Sequence, residues 1–272
     1  MIKYLFSFFK QKQESTTFWE HVDDLRKYLF RSVLAIVSLS IVAFFYKDFI
    51  FNTLILSPSK IDFITYRALC KFGTFAHIDG LCFQPFKLTL VNIELGGQFR
   101  YHILISVITG IIVAFPFIAW QLWLFVKPAL KESEMKYTRG LVFYISVLFL
   151  IGVLFGYFVI TPLTVNFLVT YQLSAEIVNT ITIGSYISNV SVLSLSMGLV
   201  FEMPVLIYFL TKIGMISSQF LRSYRRHAIV VLFILAGFIT PSTDMFSQTL
   251  VALPLLMLFE VSIFISKKTE SN

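Results

Sequence analysis

The 272-residue chain is 57% hydrophobic and only 14% charged, which excludes an ordinary soluble domain of this length and places it in a bilayer. Its formal net charge of +7 does not point to nucleic acid, because the basic residues stand in short clusters between apolar runs and form no stripe along a soluble face. They act as topology signals instead.

At the amino end, Ile2, Leu5, Phe6, Phe8 and Phe9 interleave with Lys3, Lys10 and Lys12. This pattern reads either as a segment lying on an anionic membrane surface or as a basic tail. No small-residue cleavage site precedes Lys47, so the amino terminus is expected to stay attached. Apolar runs at 28–46, 102–126, 140–160 and 186–211 reach the roughly 20 residues that a hydrocarbon core about 30 Å thick requires. Two further runs, 228–240 and 246–265, are separated by Pro241, Ser242, Thr243, Asp244 and Met245 and predict a short hairpin of helices. The first holds 13 residues, about 20 Å of helix, so the membrane is expected to thin around it. Pro254 removes a hydrogen bond from the last span, predicting a kink or compensation by neighbours.

The expectation is therefore an all-α protein of six transmembrane helices, with both termini on one side. Cytoplasmic flanks carry an excess of Lys and Arg, and placing the termini in the cytoplasm puts most of the basic residues there. These are Lys3, Lys10, Lys12, Arg26, Lys27 and Arg31; Lys127, Lys131, Lys136 and Arg139; Lys212, Arg222, Arg225 and Arg226; and Lys267 and Lys268. The remainder lie in one outside loop, 47–101, long enough for the charge rule to weaken. The expected parts are a cytoplasmic segment 1–27, a transmembrane domain 28–266 and a tail 267–272, with a cytoplasmic loop at 127–139, an outside loop at 161–185 and a cytoplasmic loop at 212–227.

Glu202 is the sharpest intramembrane signal, because it lies ten residues before Lys212, about 15 Å into the bilayer. A charge at such depth costs on the order of 2.5–3.5 kcal/mol, so the side chain must face a polar cavity, be paired or be protonated. Cys70 and Cys82 both fall in the outside loop, where an oxidising compartment permits a bridge; two buried free thiols are the alternative. His21, His77, His102 and His227 are scattered over edges and loops, and no metalloprotease, nucleophile-elbow or phosphate-loop motif occurs. Neither an enzyme nor a cofactor or metal is expected.

Five motifs carry a resemblance. They are Phe18-Trp19-Glu20-His21-Val22-Asp23-Asp24-Leu25-Arg26; Phe125-Val126-Lys127-Pro128-Ala129-Leu130 with Glu134; Phe201-Glu202-Met203-Pro204; Tyr224-Arg225-Arg226; and Thr240-Pro241-Ser242-Thr243-Asp244-Met245-Phe246-Ser247-Gln248-Thr249-Leu250, continuing through Pro254 to Phe259-Glu260. Together, in this order, they resemble the TatC family of twin-arginine translocase subunits across nearly the whole chain. The resemblance implies a concave six-helix bundle in the bacterial inner membrane that receives twin-arginine signal peptides and moves folded proteins by the proton-motive force. Segment 1–27 would then bind the signal.

A guanidinium fits a carboxylate in bidentate fashion, so two arginines call for two acids. Glu20 and Asp24 share one face of a helix, and Glu132 and Glu134 lie in the next cytoplasmic loop. Family correspondence favours Asp24 with Glu134, alongside Glu20, Arg26 and Glu132, while Phe125, Pro128 and Leu130 mark the first cytoplasmic loop. Two positions depart from the family: Asp24 stands for the usual Glu, and Tyr28 for a common basic residue. Each acid also has a plainer reading. Glu20 closes a capping box begun by Thr17, Asp24 is a solvated partner of Arg26 or Lys27, and Glu134 is an ordinary loop charge.

The resemblance makes Glu202 and Gln248 intramembrane polar sites, and Thr240, Gln248 and Thr249 contacts for the single helix of TatA or TatB, against ordinary packing within the bundle. Other implied partners are membrane lipid and further copies of the chain within a Tat complex. A small-solute or ion transporter, with Glu202 as its cation site, is the alternative from another class.

Overall fold

The computed structural model describes residues 18–60, 62–77, 82, 88–129, 140–174, 179–241 and 244–270, with residues 18–21 described by backbone. Helix α1 (Phe18–Phe45) packs along α3 (Gly97–Val126) as an antiparallel pair. Small residues let the two backbones approach. Ser106, Gly110 and Ala114 recur every fourth residue on α3 and are buried, and a Cβ on Gly110 would lie 2.9 Å from the Ser40 backbone nitrogen and 3.0 Å from the Ile36 carbonyl oxygen. Nearer the other end, the His102 ring stacks on Phe44 with centroids 4.0 Å apart.

Between these helices the chain forms a π-helical turn (Phe49–Ile55), a 3-10 turn (Ser57–Ser59), the separate helix α2 (Ile64–Ala76) and strand β1 (Leu90–Val91). Cys70 and Cys82 are joined by a disulfide. Buried hydroxyls bind this region to the spans. Tyr186 donates to the Ile55 carbonyl at 2.7 Å, Tyr66 to those of Pro58 at 3.1 Å and Pro162 at 2.9 Å, and Thr65 to that of Phe158. Burial raises the Tyr66 phenol above its ordinary range by penalising the charged form. β1 pairs in parallel with β2 (Ile181–Thr182), Leu90 opposite Ile181.

The third crossing joins α4 (Leu141–Phe155) through a π-helical turn (Gly156–Ile160) to α5 (Thr161–Thr170). Within the expected outside loop 161–185, helix continues to Thr170 and resumes at Ile183. Pro162 sits just after the π turn, where its missing N–H cannot serve the Phe158 carbonyl four residues before it, and that carbonyl accepts from Thr65 instead. Thr182 caps the next helix by accepting from the Ser185 N–H at 3.2 Å. That helix, α6 (Ile183–Phe201), is separated from α7 (Met203–Lys212) by Glu202, with Pro204 in the opening turn of α7. The segment 212–227 holds α8 (Ser218–Ser223) and the start of α9 (Arg225–Ile239); α10 (Met245–Glu270) closes the fold. Pro254 is accommodated within continuous helix, packed in the core.

Among the described residues five helical stretches are long and apolar enough to cross a membrane: Val22–Phe45, Gly97–Val126, Leu141–Thr170, Ile183–Lys212 and Met245–Glu270. The sixth apolar segment, α9, has 15 residues, about 22 Å of helix, and is shorter than the hydrocarbon layer.

A second close backbone approach joins α4 to α6. Gly152 and Gly156 on α4 and its π turn face Ser194 and Gly198 on α6; a Cβ on Gly152 would lie 2.6 Å from the Met197 carbonyl oxygen and 2.9 Å from the Gly198 Cα. Neither neighbour is the movable end of a side chain. Gly152→Ala is expected to destabilise the bundle by about 1–3 kcal/mol through overpacking, whereas Gly96→Ala, which meets nothing within 4 Å, should be neutral. Unfolding of the two variants in detergent checks this, and equal midpoints would remove the close-packing account.

Candidate functional site

The α1/α3 pair sets the geometry of one polar end. Its antiparallel register, read from the contacts of Gly110 with Ile36 and Ser40 and of His102 with Phe44, puts Asp24 level with the last turn of α3. That turn holds Phe125, half-buried, and the chain leaves it through Lys127 and Pro128, both exposed. The Asp24 carboxylate is open to solvent and accepts from the Lys27 ammonium at 3.0 Å. An exposed pair of this kind contributes little, so another cation can displace the lysine. Asp23, Arg26, Lys27 and Phe30 line a shallow depression of about 430 Å³ beside it. The Glu20 side chain and all of Leu130, Glu132 and Glu134 lie outside the described residues.

Glu202 occupies the break between α6 and α7. It is half-buried, and its Oε1 has no hydrogen-bond partner.

The α9/α10 hairpin turns two of its three expected contact residues inward. Thr240 is buried and its hydroxyl donates to the Ala236 carbonyl at 3.0 Å. Gln248 reaches across to donate Nε2 to the Phe233 carbonyl at 3.0 Å, past Gly237, where a Cβ would stand 3.1 Å from that nitrogen. Thr249 alone is exposed, in a row with Met245, Leu253 and Met257 on the outer face of α10. Asp244 accepts from the Ser247 N–H at 2.7 Å, capping α10.

Two contacts at the polar end escaped sequence reasoning. Arg225, at the start of α9, meets Glu260 on α10 at 2.6 Å, both side chains half-exposed. Glu270 accepts from the Ser218 N–H at 2.6 Å and from the Ser218 hydroxyl, closing the first turn of α8. The charged residues are visible in the sequence, yet only the packing of α8 and α9 against α10 says which group each one meets. The Thr211 and Ser266 hydroxyls, 3.0 Å apart, set α7 beside α10, with Glu260 about one turn from the level of Glu202.

Residues 20–254 match the family model described as Sec-independent protein translocase protein (TatC). A relative of that name from Blattabacterium sp. subsp. Periplaneta americana is 41% identical over 259 residues, covering 94% of this chain and 97% of the relative. Another, from Carboxydothermus hydrogenoformans, is 38% identical over 252 residues, covering 92% and 93%. A crystal structure described as the twin arginine translocase receptor TatC superposes with a TM-score of 0.72 at 30% identity, covering 92% of this chain and 100% of that one. A second, in DDM, gives 0.74 and covers 91% and 99%. The transporter alternative finds no support among these relatives.

Gln248→Leu preserves bulk while leaving the Phe233 carbonyl without this donor. It is expected to cost about 0.6–1.7 kcal/mol, read as a lower unfolding midpoint in detergent; Thr249→Val, exposed and bonded only to its own helix at Met245, should cost less than half as much.

Proposed function

The chain belongs to the TatC family of Sec-independent protein translocase proteins, multi-pass components of the bacterial inner membrane, and we propose that it is the receptor for twin-arginine signal peptides. Both termini lie in the cytoplasm in this reading, and the α1/α3 end is the landing surface. Asp24 takes one signal guanidinium and Glu134 the other, with Glu20 and Glu132 adding negative potential and Arg26 shaping the depression beside them. The observation that carries the reading is the Asp24 carboxylate, solvent-open and held by one lysine at the level where α3 gives way to the segment bearing Glu132 and Glu134.

Specificity follows from the shape of the groups. A guanidinium offers two parallel donors to a carboxylate, whereas an ammonium is a point charge and gains less from fixed acids. Phe125, Pro128 and Leu130 form the apolar border of the site. Beyond recognition, the signal's apolar part passes along the concave face toward Glu202, whose unpaired oxygen accepts from it. TatA- or TatB-type single helices dock on the exposed Thr249 row of α10, and several copies of the chain combine in the Tat complex. The proton-motive force supplies the work.

Photo-crosslinking of a twin-arginine signal peptide to the protein in inner-membrane vesicles tests the receptor. Asp24→Asn combined with Glu134→Gln should weaken capture by at least roughly 100-fold, since two charge-assisted bonds of about 1.5–3 kcal/mol each are lost, and a twin-lysine peptide should bind the parent poorly. Equal crosslinking of both peptides, or full capture by the double variant, overturns the assignment.

A further inference from the structure

Helix α2 leaves an apolar stripe uncovered. Ile64, Phe72 and Phe75 are 63%, 59% and 84% exposed, and with Ala68, also exposed, they recur at helical spacing on one face. The opposite face holds the buried Tyr66 and Gly73, so the stripe points away from the protein's own contacts. Two exposed cations, Arg67 and Lys71, stand along one flank. This is the arrangement of a helix that lies in a membrane surface, apolar face toward the acyl chains and cations among headgroup phosphates.

The depth of α2 is given independently by its attachments. Thr65 donates to the Phe158 carbonyl and Tyr66 to that of Pro162, while the Phe63 ring stacks on Phe158 with centroids 5.6 Å apart. Counted along the third crossing from Leu141, Phe158 stands about 26 Å and Pro162 about 32 Å away at ~1.5 Å per residue. These values bracket the roughly 30 Å thickness of the hydrocarbon layer. The first turn of α2 is therefore pinned where that layer ends, on the side opposite the chain termini. The Cys70–Cys82 bridge braces the middle of the helix.

We propose that α2 is an interfacial anchor, seated in the leaflet opposite the termini with Ile64, Phe72 and Phe75 among acyl chains and Arg67 and Lys71 on anionic phospholipid headgroups. By holding the loop 47–101 to the bilayer surface, it fixes the outer ends of the third and fourth crossings at a set depth. The occupant of the stripe is lipid and not a second copy of this chain.

The test incorporates the photoreactive benzoylphenylalanine at Phe75 in the full chain, under non-reducing conditions, in vesicles of equal phosphatidylglycerol and phosphatidylcholine. Irradiation should give adducts of one phospholipid per chain, with phosphatidylglycerol favoured. A chain-to-chain adduct, or no lipid adduct in protein whose Cys70–Cys82 bridge is intact, overturns the anchor. In a second variant, Arg67→Gln with Lys71→Gln added to the same background should keep the lipid adducts but lower the preference for phosphatidylglycerol at least about fivefold, from a contribution of about 1 kcal/mol per cation near a charged surface. An unchanged preference removes the headgroup assignment.

Discussion

In a bilayer the lipid tails are as apolar as a leucine side chain, so helices hold together by close backbone approach and cross-helix hydrogen bonds. The contact of Gly152 and Gly156 with Ser194 and Gly198 supplies the first of these, and much of the architecture follows from it. It brings α4 and α6 together at mid-depth, where Phe149, Leu193 and Met197 are fully enclosed. It also settles where the break at Glu202 falls, because the third crossing reaches that level with Phe149 and Gly152. A bulkier helix pair would separate these elements and change what the acid faces.

Polar groups reinforce the two ends of the bundle differently. On the side away from the termini, tyrosine and threonine hydroxyls from the spans and from α2 take up carbonyls that irregular backbone leaves free at Ile55, Pro58, Phe158 and Pro162. Irregular backbone is tolerated near a membrane only where such partners exist. At the other end the work is done by charge: Lys27 on Asp24, Arg225 on Glu260, and Glu270 on the first turn of α8. The first end is tied chiefly by hydroxyl–carbonyl bonds, with the exposed Arg100–Glu94 pair beside them, and the second chiefly by charge. Exposed ion pairs exchange partners at little cost.

The short α9 belongs to the same logic. Its 15 residues begin at Arg225, about level with Glu260 and well short of the α10 end at Glu270, and α8 fills the remaining depth. Charged groups consequently enter the inner half of the bundle from the α9/α10 hairpin as well as from Glu202, and water or headgroups must follow them.

Membrane class, the places of the apolar segments and the family were legible in the sequence alone. Spanning a bilayer demands a run of apolar residues of set length, a property of the chain in one dimension, and the family motifs are likewise contiguous. Pro162 shows where this reading stops: it looks like the end of a span, yet the π turn before it lets helix continue to Thr170. Thr240 and Gln248 show it again, being polar residues whose inward direction no spacing rule announced, as does the pairing of Cys70 with Cys82, which the sequence left open. The rotation of each helix and its register against its neighbours were decided only in the tertiary structure. In water an apolar stripe marks the buried face of a helix, but here lipid-facing and protein-facing positions are both apolar, so the pattern that would report rotation is nearly erased. Small residues and cross-helix bonds decide it instead, and those are satisfied only when two segments meet.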